Sequence, residues 1–374
     1  MKKFLYLLPT IFLSLCMACT EAEIVSPKPE PGDGGREEGV PLSIKNLGLS
    51  LEVESRSIVT GDPGKEDRNP NPLTSVGVCV TKKNSSGTIS LYESGIQSQV
   101  FTYNAMAIPP AWELGEGEEM LCLYAEKGTV YAYAPSSGKS ISLSGTPKVP
   151  LMSGVKILDK QTFRFNDGGK QVDAATDVQW ETDQDDYLYC MAEEQVDRWH
   201  PEVSLLMQHA LSKVSFRVLE EGEAFADCLI EKVVLKSSGG FKRSATSSLN
   251  LATGELSGML TVVDQLVFTA GGDMRGIGSV PVTGETNKTP VQAFGLVIPV
   301  TDVSVTLELT LDDDRVFKMK PTESSGTDPG TFTVKWEKGY NYIYNIRLQA
   351  QGIELTKIQV AGWNDGGEYD IPVE

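Results

Sequence analysis

The groups in this 374-residue chain whose types permit chemistry are six cysteines, two histidines and an excess of carboxylates. The most specific spacing is Leu15-Cys16-Met17-Ala18-Cys19. A cysteine preceded by a small residue at the end of an apolar leader is what lipoprotein processing needs: the thiol takes a diacylglycerol, and a peptidase then cuts ahead of it. Cys19 follows Ala18 and meets that need; Cys16 follows Leu15 and meets it poorly. A plain secretory leader with incidental cysteines is the bland alternative, and the segment behind Cys19 weighs against it.

The remaining groups do not assemble into catalytic or metal-ligating motifs. Cys79, Cys122, Cys190 and Cys228 are widely separated, with no CxxC pair, which argues against a zinc knuckle or a thioredoxin-like centre. Four cysteines permit three pairings and none is signalled; Cys79 and Cys122 sit in apolar strand patterns and read as small buried hydrophobes. His200 and His209 lack HExxH or HxH spacing, and His209, among apolar neighbours, reads as a satisfied core histidine. No GxSxG elbow, P-loop or GxGxxG after a strand occurs. Asp312-Asp313-Asp314 lacks the glycine and distal glutamate of a calcium loop and reads as a solvated turn. Asp183, Asp185 and Asp186 receive the same solvated reading. Trp112, Trp180, Trp336 and Trp363 lie beside strand patterns and read as core rather than as sugar platforms. The chain is therefore read as no enzyme, with no cofactor, catalytic or metal site.

The elements around Cys19 suit export. Met1-Lys2-Lys3 followed by the apolar run Phe4–Ala18 is a leader, too short and too terminal for a membrane span. Thr20 to about Val40 is rich in proline, glycine and acid, and reads as an extended tether. Glu21 and Glu23 resemble the acidic signal that sends lipoproteins to the outer face of the outer membrane. The formal net charge is −18, and loss of Lys2 and Lys3 with the leader makes it −20. That charge is repelled by phosphates and argues against nucleic acid or anionic lipid head groups as partners.

Beyond the tether, period-two alternation recurs, with Gly, Pro, Ser and Asn between the runs, which predicts an all-β fold. Val303, Val305, Leu307, Leu309 and Leu311 share one face; Asp312–Asp314 turns, and Val316–Met319 returns as a hairpin. Tyr340, Tyr342, Tyr344, Ile346 and Leu348 line a second face, with Asn341, Asn345, Arg347 and Gln349 opposite. Leu42–Val53, Val76–Val80, Met120–Tyr124, Val130–Ala134 and Phe163–Phe165 are further strands. Thr356–Val360 and Tyr369–Val373 close the chain. Val203, Leu206, Met207, Ala210, Leu211 and Val214 fit helical spacing, but Val214, Phe216 and Val218 alternate directly after them, and strand is the reading adopted. The charged stretch Glu193–His200 marks a domain boundary. The organisation expected is 1–18 leader, 19–40 tether, 41–195 first β domain and 196–374 second.

Several segments in order resemble the fimbrillin family, pilus subunits that mature from lipoproteins. They are Leu42–Gly61, Thr74–Val78, Trp112, Met120–Tyr124, Val130–Pro135, Asp185–Tyr189, His209–Val214, Gly339–Tyr344 and Gly362–Gly367. The resemblance implies two transthyretin-like β-sandwich domains, an outer-membrane lipid anchor, and incorporation into a surface fimbria. It implies an arginine-specific protease that removes the anchor with the first strand, and other fimbrial subunits as partners, with a host or bacterial surface ligand besides. Subunits then join by donor-strand exchange, a form of β-augmentation. In this sequence Arg56 follows the alternating Leu47, Leu49, Leu51 and Val53 and is the cleavage residue the resemblance implies; Arg36, in the tether, is the alternative. The donor implied is Tyr369–Val373, or an extension including Ile358 and Val360. A non-polymerising surface glycan-binding or anchor lipoprotein is the competing reading.

Overall fold

The computed structural model describes residues 38–49, 72–166, 179–272, 274–280, 289–320, 330–362 and 369–371. Among them there is no helix. The first strands in chain order are β1 (Val40–Pro41), β2 (Ser43–Leu49), β3 (Ser75–Lys83), β4 (Ile89–Leu91), β5 (Gln99–Asn104), β6 (Ala111–Leu114), β7 (Cys122–Leu123) and β8 (Gly128–Ala134). Next come β9 (Ser140–Ser144), β10 (Val149–Ile157), β11 (Lys160–Asn166), β12 (Gln179–Thr182), β13 (Leu188–Met191) and β14 (Glu202–His209). The remainder are β15 (Ser212–Glu220), β16 (Ile230–Asn250), β17 (Leu256–Gly258), β18 (Thr261–Ala270), β19 (Gly278–Ser279), β20 (Ala293–Val297), β21 (Val300–Leu311) and β22 (Val316–Lys318). β23 (Phe332–Trp336), β24 (Tyr340–Gln349), β25 (Gly352–Gly362) and β26 (Tyr369–Ile371) end the series.

The strand reading of 203–214 is what the fold adopts. In β14 Val203, Leu205, Met207 and His209 are buried, alternating with exposed Glu202, Ser204, Leu206 and Gln208. Helical spacing would have turned Leu206 inward; it is instead 53% exposed. A period of two puts four side chains in the core and lets both backbone edges pair, and that decides the conformation.

Three layers of apolar packing follow from this patterning. The first sheet runs β2-β14-β13-β8-β3-β5-β6, with β4 beside β3, and it curls until β2 at one end lies close to β6 at the other. The result is a nearly closed barrel filled by Leu42, Ile44, Leu47, Leu49, Val76, Val78, Phe101, Leu123, Val130, Val203, Leu205 and Met207. Gly77, paired with Tyr133, is required on the outer wall: a Cβ there would stand 2.2 Å from the Tyr133 ring.

The barrel's outer wall supplies Cys79, Tyr131, Tyr133 and Tyr189 to a second cluster with Ile141, Met152, Val155 and Leu249 of β9, β10 and β16. A ten-stranded sheet around β16 and a six-stranded sheet built on β15, β24 and β25 then enclose a third cluster, which makes a sandwich. There Trp336 stacks on Phe241 at 5.6 Å and donates its indole N–H to Tyr344 Oη at 2.6 Å, so the buried indole is satisfied. The Val303–Leu311 alternation and its return form β21 and β22, with Glu308 opposite Lys318. Met120–Tyr124 contributes only the two residues of β7.

The face of β24 that carries asparagines is buried too. Asn341 Oδ1 accepts from Ser215 Oγ (2.8 Å), and Asn345 Oδ1 accepts from Arg217 Nη1 (3.2 Å). The boundary expected near 195 falls between β13 and β14, which are hydrogen-bonded neighbours in the barrel, Leu188 opposite His209.

Candidate functional site: the strand that closes the barrel

In an all-β chain the chemistry of interest is the pairing of edges. β2 is the strand on which barrel closure depends. It pairs in parallel with β14, from Ser43 opposite Glu202 to Leu49 opposite Met207. Its other edge faces β6. It therefore fills a slot in which it ladders with β14 on one side and, among the described residues, lies against β6 on the other without a hydrogen-bonded register; without it β14 would be an edge.

The sequence of β2 fits this slot through one irregularity. Register slips between Val203 and Ser204, where Ile44 and then Asn46 are the successive partners and Lys45 is extra. Lys45 and Asn46 consequently both face water, while Ile44, Leu47 and Leu49 all face the core. A bulge of this kind reconciles the three-residue step from Ile44 to Leu47 with a period of two.

The slot's entrance is clasped. Val40 and Pro41 pair with Leu123 and Cys122. Leu42 N donates to Leu121 O (3.2 Å), and Ser43 N donates to Pro201 O (3.0 Å). Burial of Leu42, Ile44, Leu47 and Leu49 at 1.5–3 kcal/mol each contributes roughly 6–12 kcal/mol, an upper bound because unfolded chains are partly compact. A domain's whole net stability is about 5–15 kcal/mol. Removal of β2 without a replacement would thus leave the barrel at the margin.

Late in the chain, β26 pairs with β25 and, among the described residues, with no other strand, placing Tyr369, Asp370 and Ile371 opposite Val360, Gln359 and Ile358. Three residues on one neighbour make a weakly held edge strand. Val373 lies outside the described residues, as do Cys19, Arg36 and Arg56 and the segment Leu51–Val53.

The remaining singled-out groups are structural. His209 is buried, as its apolar setting predicts, and its Nδ1 is 3.1 Å from Asp186 Oδ1. Asp186 corrects the solvated reading of the acidic cluster: it is buried, because an imidazole waits for it inside. Asp183 and Asp185 are exposed in the β12–β13 connection, as the solvated reading has it; Asp183 Oδ1 accepts from Thr162 N (2.8 Å) and Asp185 Oδ2 from Tyr187 Oη (3.0 Å). Beside the pair stands Lys213, fully enclosed, its Nζ 5.5 Å from the Phe294 ring. Burial pulls the Lys213 ammonium well below its ordinary pKa, opposed by the charge of Asp186. Sequence reasoning placed Lys213 inside the His209–Val214 segment but gave it no role; a further signal was the alternation Lys213, Ser215, Arg217 inside an apolar run.

Asp312–Asp314 is the β21–β22 turn, with Asp313 Oδ2 accepting from Arg315 Nε (2.6 Å). Trp112 and Trp336 are core, while the side chains of Trp180 and Trp363 lie outside the described residues. Cys79 is buried, and burial pushes its thiol up to about 12; Cys122 is only half-buried. Among the described residues no three metal-ligating side chains converge.

Residues 71–363 match the family described as fimbrillin-like. No curated protein matches the chain. Solved structures similar to it include a candidate cell adhesion protein from Bacteroides ovatus, at 18% identity over 87% of this chain and 98% of that one, TM-score 0.49. Another from Bacteroides uniformis has 16% identity over 84% and 99%, TM-score 0.46. A fimbrial protein from Bacteroides vulgatus has 12% identity over 84% and 99%, TM-score 0.44.

Proposed function

Since this chain belongs to the fimbrillin-like family, we propose that it is a structural or adhesive subunit of a cell-surface fimbria that assembles by exchange of the strand closing its barrel. In this reading the chain is exported as a lipoprotein on Cys19 and held at the outer membrane. An arginine-specific protease then cuts after Arg56, beyond the end of β2. The cut separates β2 from the body, and a strand from another subunit takes its place.

The observation that carries the reading is the position of β2 between β14 and β6, with its apolar face forming one wall of the core. A strand covalently continuous on both sides has no reason to leave; one cut behind Leu49 is held by pairing and burial alone. A cut after Arg36 lies ahead of β2 and leaves it attached, which is why Arg56 is preferred. The donor proposed is β26 with its flanking residues, because it gives up only one neighbour. Exchange then trades a three-residue edge for the longer slot beside β14 and against β6, and the gain is apolar burial.

The test is electrophoresis of the full chain, unboiled, after limited treatment with an arginine-specific protease. A ladder of multiples that collapses on boiling supports strand exchange. A single band that retains β2 after cleavage would point instead to an anchored, non-polymerising surface protein.

A further inference from the structure

Three crossings join the barrel to the rest of the molecule: Ala134 to Ser140, Thr182 to Leu188, and His209 to Ser212. All three lie at the end where β2 finishes at Leu49, because β8 and β14 run toward that end and β13 runs away from it. The opposite end, among the described residues, carries no crossing. There the β13–β14 connection turns at Asp197–His200, and there β2 enters, with Ser43 N on Pro201 O.

That turn presents an indole to water. Trp199 is 58% exposed. The turn is nevertheless fixed. Asp197 Oδ1 accepts from Trp199 N (2.9 Å) and His200 N (2.9 Å), and His200 Nδ1 is 3.0 Å away. Arg198 N donates to Tyr124 O (2.9 Å), and the Arg198 guanidinium lies 5.7 Å from the Trp199 ring centre. A large apolar ring exposed on a hydrogen-bonded turn beside an arginine is the composition of an interface anchor.

We propose that the Asp197–His200 turn seats the body of the neighbouring copy whose strand fills the slot, with Trp199 as the anchor of that contact. This rests on the strand-exchange reading. A second copy is the occupant for two reasons. A C-terminal donor strand that keeps β2's direction, parallel to β14, enters at Glu202 and finishes at Met207, so the body that precedes it lies at the Glu202 end, directly beside the turn. The other end of the barrel is taken up by the three crossings. A lipid surface is disfavoured by the net charge of −18 and by Asp197 and Glu202 flanking the turn.

The test places the photo-crosslinker p-benzoylphenylalanine at Trp199 in the full chain, and in a second chain at Ile108. Ile108 is 99% exposed on the β5–β6 turn at the Leu49 end of the barrel. Assembled material is irradiated and digested. A covalent copy-to-copy product from position 199 and none from 108, with a shorter ladder for Trp199→Ser, is the expected result. An unboiled ladder with no copy-to-copy product from 199, or with equal yield from 108, overturns the inference while strand exchange stands. Absence of any ladder sinks strand exchange, and this inference falls with it.

Discussion

Leu49 stands opposite Met207 in a parallel pair, and both side chains are sealed in the barrel core. The two belong to segments far apart in the chain, so this contact closes a long loop before it returns any free energy. It also lies at the end of β2 from which the chain continues toward Arg56.

If that contact stabilises the barrel as burial implies, Leu49→Ala costs about 2–5 kcal/mol, because a cavity opens where the core cannot collapse. Leu206, adjacent to Met207 on β14 but turned to solvent, is the internal control: Leu206→Ala changes stability by no more than about 0.5 kcal/mol. Urea midpoints of the two variants check this. Equal losses would mean that β2 does not wall the core.

The outer wall is equally intolerant of added volume. Gly77→Ala places a methyl against the Tyr133 ring, at 2.2 Å before relaxation. A loss of about 1–3 kcal/mol is expected, read as a lower thermal midpoint, and Tyr133→Leu in the same chain recovers part of it.

The buried Asp186–His209 pair behaves as a unit. Asp186→Ala removes the carboxylate that the buried His209 imidazole faces, and costs about 1–3 kcal/mol. Combined with His209→Ala, the losses fall short of additive by about 0.5–3 kcal/mol in a double-mutant cycle. Additivity would show that the contact carries no energy.

Alkaline pH tests the buried thiol. Cys79 titrates near 9.0 when exposed and near 12 in the fold, so the folded state favours the neutral form. Its contribution is complete below pH 9 and is lost as pH rises from 9 to 12, up to about 4 kcal/mol at 1.36 kcal/mol per unit. Cys79→Ala removes this part of the alkaline slope while lowering stability at neutral pH. Denaturant midpoints measured from pH 8 to 12 read both effects.

Much of this architecture was legible in local pattern. The alternation of Val303–Leu311 and the polar Asp312–Asp314 stop specify the β21–β22 hairpin, since period and turn chemistry agree. The stretch at 203–214 was ambiguous because its apolar residues fit both periods, and only its pairing with β2 and β13 decides the outcome. The alternation in β24 separated the asparagines from the tyrosines without placing their face; Asn341 and Asn345 are buried, with Ser215 and Arg217 satisfying them, a match between distant strands that no local window contains. Asp186 was misread for the same reason. The slot itself was half legible: the alternating leucines announced a strand, while its place between β14 and β6 and the bulge at Lys45 arise from tertiary closure.

The most direct measurement is the N-terminus and intact mass of the protein recovered from assembled surface material. The account predicts a chain beginning at Ser57, without lipid and without β2, in complexes that resist dissociation until boiled. A chain beginning at lipidated Cys19 and retaining β2 in such complexes would contradict it.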